Sequence, residues 1–287
     1  MRPLLDLLDL LWPRHCLACG ELVPAADGAT AAGARRGGVT GAIGAIGAIG
    51  ATGATGATAA GAPPLGLCPA CRRRLVAIDP LASCATCARP LAPLPSGSSL
   101  QRCGRCLADP PEFDRLTALW RYAAPLKEVV QAFKFGRLDF LGNHLARELA
   151  RAFAERQRVE TGWQPPDLVV PVPLPWPRRL ARGFNQTELL AWPLAREWDR
   201  PCPRALTRRF FTPRQTGQRR SGRARAAHFH VPDAGAVAGR SILLVDDILT
   251  TGATVRGASA ALRRAGARRI EVAVVGWTPL EVPFGEN

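Results

Sequence analysis

The sequence predicts an α/β fold, with a mostly parallel sheet flanked by helices and a small cysteine-rich unit ahead of it. Three observations carry this expectation. From about Phe113 onward, short apolar runs alternate with helical patterns. One apolar run, Ser241-Ile-Leu-Leu-Val245, leads into Asp246-Asp247-Ile-Leu-Thr250-Thr251-Gly252-Ala253-Thr254, a segment with the chemistry of a phosphate-binding loop. Eight of the nine cysteines form Cys-x-x-Cys pairs, all before residue 107. The expected division is 1–110 for the cysteine-rich unit and 111–287 for the α/β domain.

The elements follow from hydrophobic periodicity and breakers. Leu116–Tyr122 reads as a strand, and Leu126–Phe135 and Leu141–Arg156 read as helices. Leu168–Pro173 is a short apolar run bounded by Pro, which suits a buried strand. Thr187–Trp198 is a helix, Ile242–Val245 a strand, Thr254–Ala265 a helix and Ile270–Gly276 a strand. Alternation of this kind implies parallel crossover units. Arg208–Arg225 fits neither period; it is polar and rich in Arg, so a solvated mobile loop or a lid is expected there.

The 287 residues suit one medium domain with a small accessory unit, and 47% hydrophobic residues suffice for a core. A formal charge of +15 attracts phosphate-bearing partners. Compositional bias competes with that reading, because only Lys127 and Lys134 are Lys and the chain abounds in Arg, Ala, Gly and Pro. Met1–Leu11 is leucine-rich but holds Asp6 and Asp9, which suits a short amphipathic helix better than a signal peptide. Gly41–Thr58 repeats Gly-Ala-Ile and then Gly-Ala-Thr. So much Gly makes ordering costly in entropy, and Pro24–Pro64 is read as a disordered insertion. Gly37–Ala62 is uncharged but weakly hydrophobic, so no membrane insertion and a cytoplasmic location are expected.

Two thiolates two residues apart can grip one metal ion from a tight turn, and two such knuckles complete a closed tetrahedral zinc site. Cys16, Cys19, Cys68, Cys71, Cys84, Cys87, Cys103 and Cys106 therefore supply ligands for two structural zinc ions. The gap between Cys87 and Cys103 is 15 residues, a usual zinc-site spacing. The gap between Cys19 and Cys68 is long only because of the insertion. Disulfides would require an oxidising compartment, for which there is no export signal. An iron–sulfur cluster is the minor alternative, and spacing alone leaves sequential and interleaved pairing both open.

In the loop, Thr250, Thr251, Gly252, Ala253 and Thr254 place hydroxyls and unpaired N–H groups at a helix start, where the helix dipole favours a phosphate dianion. Asp246 and Asp247, at the carboxyl end of a strand, suit hydrogen bonds to a ribose hydroxyl pair, directly or through magnesium. This is the crevice where open α/β sheets bind ligands.

The segment Ile242–Thr254 resembles the phosphoribosyl-pyrophosphate motif of type I phosphoribosyltransferases. Three further segments narrow the resemblance. They are Val169-Val-Pro-Val-Pro-Leu174 followed by Arg178-Arg179-Leu-Ala-Arg182-Gly-Phe-Asn-Gln186, the stretch Leu206–Phe229 with its arginines, and Lys134-Phe135. With the cysteine ribbons, the chain resembles the ComF family of competence-associated phosphoribosyltransferase-like proteins. The resemblance covers nearly everything but Pro24–Pro64. It implies a double zinc ribbon before a type I phosphoribosyltransferase domain that binds phosphoribosyl pyrophosphate with magnesium. It assigns Asp246 and Asp247 to the ribose and Thr250–Thr254 to the 5′-phosphate. Lys134, with the Val172–Leu174 turn, falls to the pyrophosphate side, and Arg178, Arg179 and Arg182 to the cleft wall or a polyanion. Asn185 and Gln186 are expected to cap the next helix and hold the loop. Implied partners are single-stranded DNA, a competence helicase and other uptake and recombination proteins. Three readings stand: a competence protein acting on DNA, a small-molecule salvage transferase, and a non-catalytic adaptor regulated by phosphoribosyl pyrophosphate. No segment identifies the acceptor.

Overall fold

Four strands form one parallel sheet in the order β1-β6-β5-β2. The strands are β1 (Arg115–Arg121), β2 (Leu168–Pro171), β5 (Ser241–Leu249) and β6 (Arg269–Trp277). This computed structural model describes residues 15–23, 64–80, 82–92, 101–135, 138, 140–159, 163–208 and 229–278. The leucine-rich start, the repeat-bearing insertion from 24 to 63 and positions 209–225 of the Arg-rich stretch lie outside the described residues.

The helices are α1 (Pro69–Arg73), α2 (Gly104–Ala108), α3 (Leu126–Phe135), α4 (Phe140–Val159), α5 (Trp176–Arg182), α6 (Gln186–Glu197) and α7 (Ala253–Arg264). A two-stranded antiparallel pair, β3 (Thr207–Arg208) and β4 (Phe229–His230), stands apart from the main sheet. Helical spacing explains the packing. In α3 the buried residues are Leu126, Val129, Val130 and Phe133, a single face at i, i+3, i+4 and i+7. In α7, Val255, Ala258, Ser259, Ala261 and Leu262 do the same.

The central strands are apolar throughout because helices cover both sheet faces. Leu243 and Val245 of β5 and Ala273 and Val275 of β6 join one core with α3, α4 and α6. Ile242 and Leu244, with Val272 and Val274, join a second core with α7 on the opposite face. At Gly142 of α4, an added Cβ would lie 2.9 Å from both the Cβ and the carbonyl oxygen of Leu189, so α4 and α6 approach closely there. A buried ion pair, Arg156 to Glu271 at 2.8 Å, ties α4 to the start of β6.

The cysteine-rich segments join this body directly. Cys16, Leu65, Leu67 and Cys71 belong to the same core as Phe133 and Leu145. Ile78 donates its N–H to Leu119 O, and Arg121 donates to Val76 O, so the chain between the two cysteine groups lies along β1. Among the described residues no helix is long and apolar enough to cross a membrane.

Two segments differ from expectation. β5 runs on through Asp246 to Leu249, because Asp246 pairs with Val274 and Leu249 with Trp277. The arginine segment after β2 is the helix α5. Pro177 near its start fits the first helical turn, and Gly183, left-handed at φ 79°, closes it.

Candidate functional site

The cysteines resolve into two groups, Cys16/Cys19/Cys68/Cys71 and Cys84/Cys87/Cys103/Cys106, each with all sulfurs within 4.8 Å of one another. Pairing is therefore sequential, and the interleaved arrangement is not adopted. Cys19 and Cys68 sulfurs are 3.8 Å apart, and Cys87 and Cys103 sulfurs 3.7 Å. A tetrahedron with metal–sulfur bonds of about 2.3 Å has edges of about 3.8 Å, whereas a disulfide needs about 2.05 Å. Backbone N–H groups support the sulfurs, with Cys71 N–H donating to Cys68 Sγ and Cys103 N–H to Cys84 Sγ. Each group has the donor set and spacing to hold one metal ion. His15 Nδ1 donates to Gly20 O at 3.0 Å, and His15 belongs to neither group.

The second site lies at the carboxyl end of β5. Gly252 takes a left-handed conformation at φ 78° as the N-cap of α7, a geometry that L side chains rarely adopt. The first helical hydrogen bond runs from Arg256 N–H to Gly252 O, so the N–H groups of Thr254 and Val255 precede any intrahelical partner. Thr251 Oγ1 accepts from Ala253 N–H at 3.3 Å, which shapes the turn. The loop is thus a helix start with open donors, at the switch side of a parallel sheet.

Around it the fold gathers charges from four elements. Lys134, at the end of α3, pairs through Nζ with Asp247 Oδ2 at 2.8 Å. The two residues anticipated as pyrophosphate-side and ribose-side groups are therefore directly joined. Asp246 Oδ1 accepts the N–H of Asp247 at 2.9 Å. Burial, then the negative charge of Asp247, pushes the Asp246 carboxyl up to about 7. Arg182 of α5 lies over the Phe135 ring at 4.7 Å and feels the charges of Asp247 and Arg178. Burial lowers its guanidinium below the ordinary value; Asp247 opposes that and Arg178 adds to it. Arg208 of β3 is held below the ordinary guanidinium range by burial and then by Arg178, against the opposing charge of Asp246. Tyr122, at the end of β1, is held above the ordinary phenol range by burial and by the charges of Asp247 and Glu128.

The 185–187 segment holds the loop, as expected, but Asn185 does not cap the helix with its side chain. Asn185 occupies the N-cap position of α6, but its side chain makes no cap hydrogen bond. Asn185 Nδ2 and Thr187 Oγ1 both donate to Val172 O, at 3.2 and 2.7 Å. Gln186 Nε2 donates to Lys134 O at 3.3 Å. These side chains fasten the turn after β2 and the end of α3, and so set where Lys134 sits.

Two cleft residues were not anticipated, Arg208 and Tyr122. Arg208 was counted with the Arg-rich loop, whereas pairing with β4 draws it to the site. Tyr122 was read only as the end of a strand; a strand's carboxyl end is itself the available signal.

Comparison with known proteins agrees with this geometry. Residues 139–276 match the phosphoribosyl transferase domain family. Over 172 residues the chain is 37% identical to the DNA utilization protein YhgH of Escherichia coli K12, covering 57% of this chain and 72% of that protein. It is 31% identical over 169 residues to competence protein F of Haemophilus influenzae, covering 56% and 72%. It is 29% identical over 152 residues to competence protein ComFC of Bacillus subtilis, covering 52% and 58%. Fold, loop and cysteine groups together define a type I phosphoribosyltransferase-fold protein with two N-terminal tetrathiolate sites. Within that class, the chain belongs to the ComF family.

Proposed function

We infer that this chain is a competence protein whose phosphoribosyltransferase domain binds phosphoribosyl pyrophosphate with magnesium, and that it supports the handling of incoming single-stranded DNA. The observation that carries the reading is the pairing of Lys134 with Asp247, with Arg182 and Arg208 within electrostatic reach of Asp247 and Asp246, directly before a glycine-capped helix start. The names of the relatives, DNA utilization protein and competence protein F, point the same way.

In this reading Thr250–Thr254 clamp the 5′-phosphate through N–H groups and hydroxyls. Asp246 and Asp247 accept from the ribose hydroxyls. Lys134, Arg178 and Arg182 face the diphosphate. Magnesium, when bound, neutralises part of the diphosphate charge. The chain's own contribution to any transfer is positioning and electrostatic stabilisation of departing negative charge. The two cysteine groups hold structural zinc, since closed tetrathiolate sites leave no open coordination position.

DNA contact has its own support. Phe135, with Arg182 over its ring, and Trp176, which begins the helix that carries Arg178, Arg179 and Arg182, are 70% and 62% exposed. Exposed rings interleaved with arginine are the usual means of holding unpaired bases and phosphates without sequence preference. In a naturally transformable host relying on this chain, Asp246→Asn with Asp247→Asn should lower transformant yield without slowing growth. Unchanged yield with normal protein levels would contradict the competence reading; a growth defect on minimal medium with normal transformation would favour a salvage enzyme. In fluorescence anisotropy, affinity for a single-stranded oligonucleotide should fall steeply with salt. Absence of binding at low salt would remove DNA from the account.

A further inference from the structure

The helix that begins with the phosphate loop is strapped to the second cysteine group. The strap is the segment 109–114, which leaves the end of α2 three residues after Cys106. Pro110 and Pro111 stiffen it, since each ring fixes its own φ. Phe113 anchors it, buried in the same core as Val255 and Leu262 of α7. Asp114 ties it to β6, with Asp114 N–H donating to Ile270 O at 2.8 Å and Ile270 N–H donating to Asp114 Oδ2 at 2.7 Å. Cys106, Pro111 and Phe113 share one small cavity of about 50 Å³ with Thr251, Gly252 and Arg256, so the strap lies against the loop itself.

Two arginines of α7 grip this segment. Arg256 and Arg263 stand two turns apart on one side of the helix. Arg256 donates through Nη2 to Asp109 Oδ2 at 2.6 Å and through Nη1 to Asp109 O at 3.2 Å. Arg263 Nε and Nη2 donate to Glu112 O at 3.3 and 3.1 Å, and Nη2 also donates to Asp114 Oδ2 at 2.9 Å. Both guanidinium groups use their fork on carbonyls as well as carboxylates, which a point charge could not do. Arg256 is the residue whose N–H closes the first helical hydrogen bond, onto Gly252 O. A cation in a first helical turn is disfavoured by the helix dipole. Asp109 supplies the charge that offsets this, and its carbonyl fixes the direction of the side chain.

We propose that residues 109–114 set the start of α7 for the ligand, with Asp109 and Arg256 as a positioning pair. The ribbon then raises phosphate affinity without touching the phosphate, because it holds the loop in place before the ligand arrives and so lowers the ordering cost of binding. This rests on the phosphate-loop reading above and adds the ribbon's part in it. Asp109 lies outside the 139–276 match to the transferase domain, so the support comes from the ribbon side of the chain. The sign separates positioning from a direct role. If Arg256 met the phosphate, Asp109 would hold it back, and removing Asp109 would tighten binding. A strap loosened at Asp109 weakens binding instead.

Calorimetry with ribose 5-phosphate on the full, zinc-loaded chain reads that sign. Asp109→Ala, at an exposed position, should weaken binding by about three- to fivefold, the range of one partly exposed ion pair. Arg256→Lys keeps the charge and loses the fork, so it should weaken binding as much as Arg256→Ala does. Asp109→Ala should add nothing to Arg256→Ala, and Asp109→Glu, which keeps a carboxylate, should recover most of the loss. Hydrogen exchange gives a second reading that a merely structural pair would not move. Saturating ribose 5-phosphate should slow the amides of α2 as well as those of Thr254 and Val255, and Asp109→Ala should remove the first effect and keep the second. Unchanged or tighter binding by Asp109→Ala, or Arg256→Lys binding like the parent, overturns the positioning role alone. A folded, metal-loaded parent that binds no ribose 5-phosphate overturns the phosphate-loop reading as well.

Discussion

Asp246 is the residue whose chemistry most clearly departs from its ordinary behaviour. Its carboxyl is raised from 3.8 to about 7, first by burial and then by Asp247, against the opposing influence of Lys134 and Arg208. A raised folded value means that the folded chain binds the proton more tightly than the unfolded one. The stabilisation is then complete below the unfolded value of 3.8 and is lost as pH rises to about 7. Asp246→Asn should flatten that decline in melting temperature between pH 4 and pH 8 and melt higher than the parent at pH 8; an unchanged profile would contradict the assignment. Ligand hydroxyls donate to the ionised form, so affinity for phosphoribosyl pyrophosphate should rise through the same interval. Adjacent residues made this site legible in the sequence, since two acids, two Thr and a Gly need no tertiary knowledge to suggest a ribose phosphate. The Lys134–Asp247 pair and the approach of Arg208 were not legible, because they join residues far apart in the chain.

At the scale of elements, the sequence located every strand of the main sheet and most of the helices, with errors at their ends. β5 was expected to stop at Val245, where the apolar run ends; acids are poor strand formers, yet pairing with β6 carries the strand on and holds Asp246 and Asp247 on a rigid element. That rigidity favours a fixed site. The 176–182 stretch was read for its charge alone, and its helical form was missed. Asn185 looked like a cap from its place before a helix, yet its side chain serves the turn after β2. Close packing was equally invisible. Gly142→Ala would push a methyl against Leu189, and overpacking of this kind costs about 1–3 kcal/mol. Chemical denaturation should show that loss without a change in ligand affinity beyond the folded fraction, because the contact lies between α4 and α6 and not at the loop.

For the whole molecule, the cysteine pattern gave the number of metal sites, but not that both groups would join the body of the α/β domain. Cys16 and Cys71 share a core with Phe133, and Asp109, just beyond α2, holds Arg256 of α7. Metal analysis should find about two zinc ions per chain, and a strong chelator should lower the melting temperature of the entire chain in one transition. A separate low-temperature transition confined to the N-terminal part would contradict this shared core.

The phosphate site at the end of β5 remains the centre of the account, and calorimetric titration with phosphoribosyl pyrophosphate and magnesium tests it most directly. The parent chain should give one saturable site that is lost when Asp246→Ala is combined with Asp247→Ala, while the melting profile stays cooperative and both metals are retained. Equal binding by parent and double variant, or no binding by a folded, metal-loaded parent, would contradict the assignment.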